Sequence, residues 1–414
     1  MSGWLEYDGI ELTPEGALET ILGNLPAPAA AEKPLHEAAG FILAEDVRCD
    51  IDMPPFDRSA MDGYALAGAF DSYRLTAEIP AGAAHPEPLT PGRAAPIMTG
   101  APVPPGADRI LMLEKAALED GRIVPGAPTG EGDNICRQGQ DIRRGSTVLT
   151  KGFLLDAKAA GLAAMAGRTA LKVFDRPALA LMTTGSEVVP PSAVPGPGQV
   201  RNANLPMLLS LAFASGCVTS ASLHVPDDLE ETVEGARRLL SGADVLLAAG
   251  GISLGAYDHV APAFEKAGVR FLFREVAMKP GKPFSFGLAD GRPVFCLPGN
   301  PVSVFCTFQE FVMPALRMMS GFPDCRRARL SGTCRFTHRQ KRGRTNLLRV
   351  KAFLDGEEWL LDMPPSNGSG DLMSAMDTNA IAICARDSDG VSPGDVLPFS
   401  LNSACVGERS PGWR

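Results

Sequence analysis

The chain has 414 residues, 45% of them hydrophobic, and a formal net charge of −9. That length and apolar content suit several cores in two to four domains, while the acidic balance excludes a protein that wraps nucleic acid, which needs a basic face. The 44 glycines and 36 prolines call for many fixed turns at a level below that of disordered chains. Nine cysteines stand at positions 49, 136, 217, 296, 306, 325, 334, 384 and 405; no two have zinc-ribbon or C-x-x-C spacing. They read as buried reduced thiols. With no basic-then-apolar leader and no apolar run of spanning length, a cytoplasmic, non-membrane protein is expected.

Residues 11–45 open with a helical pattern on Leu18, Ile21, Leu22 and Leu25, then an apolar run Phe41-Ile42-Leu43. From Arg48 to about Arg144 short β-like runs alternate with Gly and Pro, which predicts a β-rich insert. Asp156 then caps a helix over 155–166 that stops at Gly167. The insert thus interrupts one elongated, partly helical domain. The expected domains are 1–45 with 146–176, the insert 46–145, an α/β domain 177–325 and a small β domain 326–414.

The third of these has the most regular texture. Strands over 178–182, 218–225 and 245–249 alternate with helices over 205–214 and 228–240, so the sheet is expected to be doubly wound and mostly parallel. Asp227 with Glu230 reads as a D-x-x-E capping box, and Asn204 before Pro206 as a helix start. A helix over 258–266, a strand over 269–273 and apolar runs over 283–288 and 293–297 follow. Asn300-Pro301 then begins a long helix toward Met319 with a kink at Pro314. Residues 326–414 read as a small barrel-like β domain with a basic start.

The string Lys279-Pro280-Gly281-Lys282-Pro283, followed by Leu297-Pro298-Gly299-Asn300-Pro301, places two ammonium groups on stiffened turns beside a helix start, an arrangement that attracts phosphate or another oxyanion. In an open α/β sheet the ligand crevice lies beyond the carboxyl ends of the strands. Glu187, Asp227 and Asp258 fall there, although helix capping alone would account for Asp227. Carboxylates opposite lysines suit Mg²⁺ held between acids and phosphate oxygens. In the insert, Asp57 and Asp62 flank a small polar core that ends in the turn signal Asp62-Gly63, and Thr99 leaves a strand into a proline-stiffened loop.

Ser59–Tyr64, Met98–Asp108, Thr184–Glu187, Gly250–Asp258, Met278–Pro283 and Leu297–Ser303, six ordered segments over nearly the whole chain, together resemble molybdopterin molybdenumtransferase, the MoeA and gephyrin E-domain family. The resemblance implies a homodimer that inserts molybdate into adenylylated molybdopterin and releases AMP with Mg²⁺ assistance. Its cleft would join the α/β domain of one subunit to the β-rich insert of the other. Carried onto matching positions, it implies Asp62, Thr99, Asp141, Glu187, Asp227 and Asp258 as catalytic residues, with Glu187 and Asp258 on the metal. Substrate contacts would be Ser59, Gly250, Gly251, Ser253, Arg274, Lys279, Lys282, Pro298, Asn300, Pro301, Arg344, Arg349 and Ser369. Further implied partners are the adenylyltransferase of the preceding step and the molybdoenzymes that receive the cofactor. Two positions depart from the family pattern: Ser186 and Ala256 stand where acids are common, and each removes one negative charge near the metal.

Three other readings compete. Gly251-Ile252-Ser253-Leu254-Gly255 fits G-x-S-x-G, but His259 and His338 are the downstream histidines and make a poor triad for a serine hydrolase. An adenylyltransferase would need the α/β domain alone, and a non-enzymatic scaffold would not need the acids and lysines. Neither G-x-G-x-x-G nor a P-loop occurs. His36, His85, His224 and His338 are read as surface or core residues.

Overall fold

The structure, a computed structural model, describes residues 12–76, 87–251 and 259–402. The chain divides by contact into two compact units, one containing 32–39 and 43–172, the other containing the described residues up to 31, 40–42 and 173–402.

The first unit holds a six-stranded sheet whose central strands are Gly63–Leu66 and Arg93–Ile97, paired antiparallel with Gly63 opposite Ile97. Ala65, Ala95, Ile97, Ile110 and Ile135 form its core on one face, and Leu66, Tyr73, Ala94, Leu111 and Ile123 on the other. The expected helix spans Ala157–Met165, with the Asp156 carboxylate accepting from the Ala159 amide at 2.8 Å. Asp62-Gly63 is not a hairpin turn. Gly63 begins a strand, and it is glycine because the Leu111 carbonyl oxygen stands 2.0 Å from where a Cβ would be.

The second unit is built on β1 (Ala178–Thr184), β2 (Val218–Val225), β3 (Val245–Ala249), β4 (Arg270–Phe273), β5 (Met278–Lys279), β6 (Ser285–Ala289) and β7 (Arg292–Leu297). Six of these form one sheet in the order β2-β1-β3-β7-β6-β4. The first three pairings are parallel, as alternation with helices requires. The last two are antiparallel, because β6 returns into β7 through a tight turn at Asp290-Gly291. Both faces are covered: Leu179, Leu181, Val245, Leu247, Phe295 and Leu297 point one way, and Ala180, Met182, Leu246, Ala248, Val294 and Cys296 the other. This period-two split of continuous apolar runs is what a doubly covered sheet demands. The helix Pro14–Leu22, capped by the Thr13 hydroxyl, adds Ala17 and Ile21 to the first face.

The covering helices are α1 (Asn204–Ala214), α2 (Leu229–Ser241), α3 (Val260–Lys266), α4 (Pro301–Thr307) and α5 (Met313–Met319). One π-helical segment, Phe308–Val312, joins α4 to α5 directly ahead of Pro314. The expected kink is therefore a π bulge, which absorbs the amide missing at proline. A closed barrel follows, from β8 (Leu330–Cys334), β9 (His338–Arg339), β10 (Thr345–Asp355), β11 (Glu358–Asp362), β12 (Ala380–Cys384), β13 (Gly390–Val391) and β14 (Val396–Leu401). The closed ring runs β10-β11-β8-β14-β12 and back to β10. Backbone and side chains both stitch it to the α/β domain. β5 pairs in parallel with β10, Lys279 opposite Asn346, and buried Glu310 of the π segment holds Arg327 and Arg329 at the barrel entry. Removing one partner of such a buried cluster costs about 3–5 kcal/mol.

Among the described residues eight cysteines are free, and burial pushes the thiols of Cys217 and Cys334 up to about 11 and that of Cys306 to about 12. These three are inert core groups, while Cys136 and Cys325 are half-buried. No helix among the described residues is long and apolar enough to cross a membrane.

Candidate active site

β1, β3 and β7 end side by side, and the residues after each last strand position line one cavity of about 1180 Å³. Thr184, Gly185 and Glu187 come from β1, Ala249, Gly250 and Gly251 from β3, and Pro298, Gly299, Asn300 and Pro301 from β7. Chain order 2-1-3 makes this the switch point of the sheet, where side loops diverge and leave a crevice. Gly250 sits at φ 110°, and a Cβ there would lie 2.6 Å from the Thr184 carbonyl oxygen, so β1 and β3 meet this closely only through glycine.

Asp227 is freed for this cavity by its neighbour. The cap of α2 is Asp228, whose carboxylate accepts from the Glu231 amide at 2.9 Å, not Asp227 as the D-x-x-E spacing suggested. The Asp227 carboxylate instead accepts from the Ser186 amide at 3.1 Å, and the Asp227 amide donates to the Ser186 hydroxyl at 2.9 Å. Ser186 thus serves as a neutral acceptor where an acid is common. α1 likewise starts from Asn202, which accepts from the Leu205 amide at 3.0 Å, while Asn204 donates across the cavity edge to the Gly299 carbonyl at 2.7 Å.

The opposite wall comes from β5 and the barrel. Lys279, on β5 with a cis bond to Pro280, and Arg344, just before β10, both line the cavity and have no acidic partner among the described residues. Lys282 lines it too, paired with Glu275 at 3.2 Å. Arg349 is spent on structure: its guanidinium donates to Ser366 and, at 3.3 and 3.2 Å, to the Asp371 carbonyl and the Ser374 hydroxyl, which holds the loop before β12 in place. That loop presents Ser369, whose hydroxyl accepts from Asn300 at 2.9 Å and whose carbonyl accepts from the Val302 amide at 3.2 Å. Lys279 and Arg344 thus share one cavity with the carboxylates of Glu187 and Asp227.

The other unit carries a separate acid. Asp62 precedes one strand and Thr99 follows its antiparallel partner, so the register brings them together. The Asp62 carboxylate accepts from the Thr99 amide at 2.6 Å and from its hydroxyl at 2.7 Å, and these donors hold its carboxyl below the usual range although it is exposed. Ser59 is buried and donates to the Met61 carbonyl at 2.5 Å, shaping the approach to Asp62. Asp141 borders a shallow pocket of about 460 Å³ with Arg143, Ser146 and Thr147.

Comparison with known proteins supplies the context. Residues 12–167 match the MoeA N-terminal region (domain I and II), 180–318 a probable molybdopterin binding domain, and 331–401 the MoeA C-terminal region (domain IV). Molybdopterin molybdenumtransferase 2 of Mycobacterium tuberculosis is 36% identical over 333 residues, covering 77% of this chain and 82% of that protein. The chain belongs to the molybdopterin molybdenumtransferase family. The Synechococcus elongatus member is 38% identical over 321 residues, 74% of this chain and 80% of its own. The molybdopterin biosynthesis MoeA protein from Pyrococcus horikosii superposes with a TM-score of 0.82 at 28% identity, over 95% of this chain and all of that one. The fold is that of MoeA, and the family's members are transferases of molybdenum cofactor biosynthesis.

Of the residues that the family resemblance implied for a cleft, Glu187, Asp227, Gly250, Gly251, Lys279, Lys282, Pro298, Asn300, Pro301, Arg344, Arg349 and Ser369 line one cavity. Ser253, Ala256 and Asp258 lie outside the described residues. Arg274 is not among the lining residues; it pairs with Glu265 and stacks on the Phe271 ring at 5.1 Å. Sequence reasoning missed Asn202, Asn204 and His338. His338 also lines the cavity, with an enclosed Nε2 that has no hydrogen-bond partner. A period-two pattern too short to register as a strand hid it.

Proposed function

We propose that this chain inserts molybdate into adenylylated molybdopterin and releases AMP. The observation that carries the reading is that Lys279, Arg344, Glu187 and Asp227 line one cavity at the switch point of the sheet. Molybdate is a tetrahedral dianion and the pterin nucleotide carries a pyrophosphate, so the reactants repel each other. A unit charge pair at about 4 Å near a protein surface is worth roughly 4 kcal/mol, and one cationic side chain beside each anion offsets that repulsion. Lys279 and Arg344 would attract the anions, while Lys282, already paired with Glu275, would tune the field. Asn300 and Ser369, clasped together, would offer fixed polar groups to the same oxygens.

The carboxylates suit Mg²⁺. They are hard oxygen donors on one wall, and a cation that keeps its waters and takes substrate phosphates needs only one or two of them. No group of three His, Cys, Asp or Glu side chains that could cage a metal occurs among the described residues. Glu187 with Asp258 would hold the ion, which supplies charge neutralisation to the pyrophosphate when bound. In the reaction the phosphorus–oxygen bond of the pyrophosphate breaks, one water being consumed to complete AMP and the pterin phosphate, while molybdate gives up an oxo oxygen as water, with protons from the pterin, where it bonds to the pterin. The homodimer and the cytoplasmic setting belong to the same proposal. There Asp62, kept ionised by Thr99 and therefore a weak base, would position molybdate or a water rather than remove a proton. AMP release from adenylylated molybdopterin, measured with and without molybdate, tests the reading. Release that does not depend on molybdate, or formation of the adenylylated species from ATP, would refute it in favour of the preceding step.

A further inference from the structure

Behind the cavity wall a chain of hydrogen bonds runs from α1 to the edge strand of the sheet, and the mechanism above uses none of it. The Leu205 amide donates to Asn202 Oδ1 at 3.0 Å, Asn202 Nδ2 donates to Thr183 Oγ1 at 2.9 Å, and that oxygen lies 3.0 Å from His224 Nδ1. Thr183 and Asn202 are buried in the wall, while the half-buried His224 stands on β2, outside the lining. The parallel register of β1 with β2 sets Thr183 beside His224. Valence fixes the direction of the chain. A backbone amide only donates, so Asn202 Oδ1 is its acceptor and Nδ2 is left to donate to Thr183. Thr183 then has its own proton for His224 Nδ1, and every donor finds an acceptor only when the ring is neutral with its proton on Nε2. Protonating Nδ1 reverses the last link. Thr183 Oγ1 then accepts twice and its proton has no acceptor among these partners, a costly state for a buried hydroxyl.

The chain holds residues 200–204 in place. In that segment the Val200 amide donates to the Glu187 carbonyl at 2.9 Å, the Asn202 amide to the Val189 carbonyl at 2.8 Å, and Asn204 to the Gly299 carbonyl at 2.7 Å. It therefore ties the end of β1 that carries Glu187 to the turn after β7. Few charges surround the ring. β1, α1 and the rest of β2 carry none; Asp227 and Asp228 follow β2, Arg201 precedes α1, and Glu230, Glu231, Glu234, Arg237 and Arg238 belong to α2, which covers the other face through Ala236 and Leu239. We propose that His224 is a positioning residue of the cleft: neutral, it keeps Thr183 and Asn202 in the arrangement that fixes residues 200–204, and an anion in the cavity binds that arrangement. This rests on the reading of the cavity as an anion site and adds the residue that keeps its wall in register. Linkage is reciprocal, so a bound anion must make His224 harder to protonate. A direct charge contact would make it easier, and the sign separates the two.

The test titrates the full chain calorimetrically with AMP and with sodium sulfate at about pH 5.5 and about pH 8, which bracket the ordinary histidine range. A one-unit downward move of the His224 titration makes wild-type binding approach tenfold weaker at the lower pH. Sulfate does not titrate in that window, and taking wild type minus variant removes the titration of the AMP phosphate. His224→Gln cannot titrate but keeps an oxygen that can accept from Thr183, so it is expected to bind as the wild type does at the higher pH and to lose the weakening at the lower. Thr183→Ser keeps the hydroxyl and should keep the wild-type profile; Thr183→Val lacks it and should lose the profile. A bond with a merely structural role would lower Tm in these variants and leave the pH profile alone. Where a variant fails to fold, the wild type decides: with its five histidines nitrogen-labelled, NMR should show one ring whose titration moves to lower pH on AMP addition. Rings that all move upward or stay unmoved refute the inference. If Lys279→Ala abolishes binding but His224→Gln keeps the wild-type pH profile, the cavity reading stands and this inference alone falls. If the wild type binds neither anion, both fall.

Discussion

Asp227 and Asp228 are adjacent, alike in sequence and assigned opposite duties by the fold, so exchanging each for alanine separates structure from chemistry. Asp228→Ala removes the carboxylate that accepts from the Glu231 amide at the start of α2. Loss of such a cap costs about 1 kcal/mol; Glu230 and Glu231 stay in the first turn to satisfy the helix dipole, so little more is added. For a domain of this size that lowers Tm by roughly 2–4 °C, with AMP release retained. Asp227→Ala removes an exposed carboxylate whose bond to the Ser186 amide water readily replaces, so stability should change by less than about 0.5 kcal/mol. Its molybdate-dependent AMP release should fall roughly 100-fold, the scale of losing one preorganised polar group from a cleft. Scanning calorimetry and the release assay on both variants read the two effects. Equal losses of Tm, or an Asp227→Ala protein with full activity, would refute the assignment.

Gly250→Ala places a Cβ against the Thr184 carbonyl at a φ of 110°; a loss of about 1–3 kcal/mol is expected in urea unfolding. Thr99→Ala removes the hydroxyl donor to Asp62 but keeps the amide, so the Asp62 pKa should move up toward 3.8 by carbon-detected NMR. The sign follows from the depressed native value: the stabilisation is present above the unfolded pKa and lost as pH falls through the folded one, and the variant should lose less on acidification. Arg349→Lys keeps the charge but not the fork that holds Ser366, Ser374 and the Asp371 carbonyl. Affinity for AMP should weaken about tenfold, roughly 1.4 kcal/mol, with the melting profile little changed; unaltered affinity would show that this loop does not shape the cleft. Burial, and then the charge of Lys279, hold His338 toward neutral, so its contribution to stability is present above the unfolded pKa of 6.5 and declines below it. Thermal melts of His338→Gln between about pH 5 and 8 should lack that decline.

The α/β domain was legible because its strands are unbroken apolar runs separated by capped helices; Leu179 to Met182 and Val245 to Ala249 leave no other way to bury both faces. The antiparallel edge was signalled by Asp290-Gly291, a hairpin dipeptide between two apolar runs, which alternation with helices overshadowed. Capping was read one residue early because Asp227 and Asp228 both satisfy the spacing and only backbone geometry chooses between them. In the other direction, Asp62-Gly63 has turn chemistry but serves as a strand entrance, since a tight approach by Leu111 also demands glycine. The acids and lysines of the cleft stand at strand ends, where pattern and position coincide. Arg274 drew attention as a cation near them, but its local partner Glu265, nine residues earlier, decides where it points. Asn204 was read as a helix start, since its bond to the Gly299 carbonyl, 95 residues away, leaves no local pattern.

Lys279 is at once a residue lining the cavity and a rung of the barrel, bonded edge to edge with β10 while its own chain continues into the α/β core. A clamshell hinge along that seam would have to break the backbone pairing of Met278 with Thr345 and of Lys279 with Asn346. Entry through the open mouth of the cavity leaves that pairing intact.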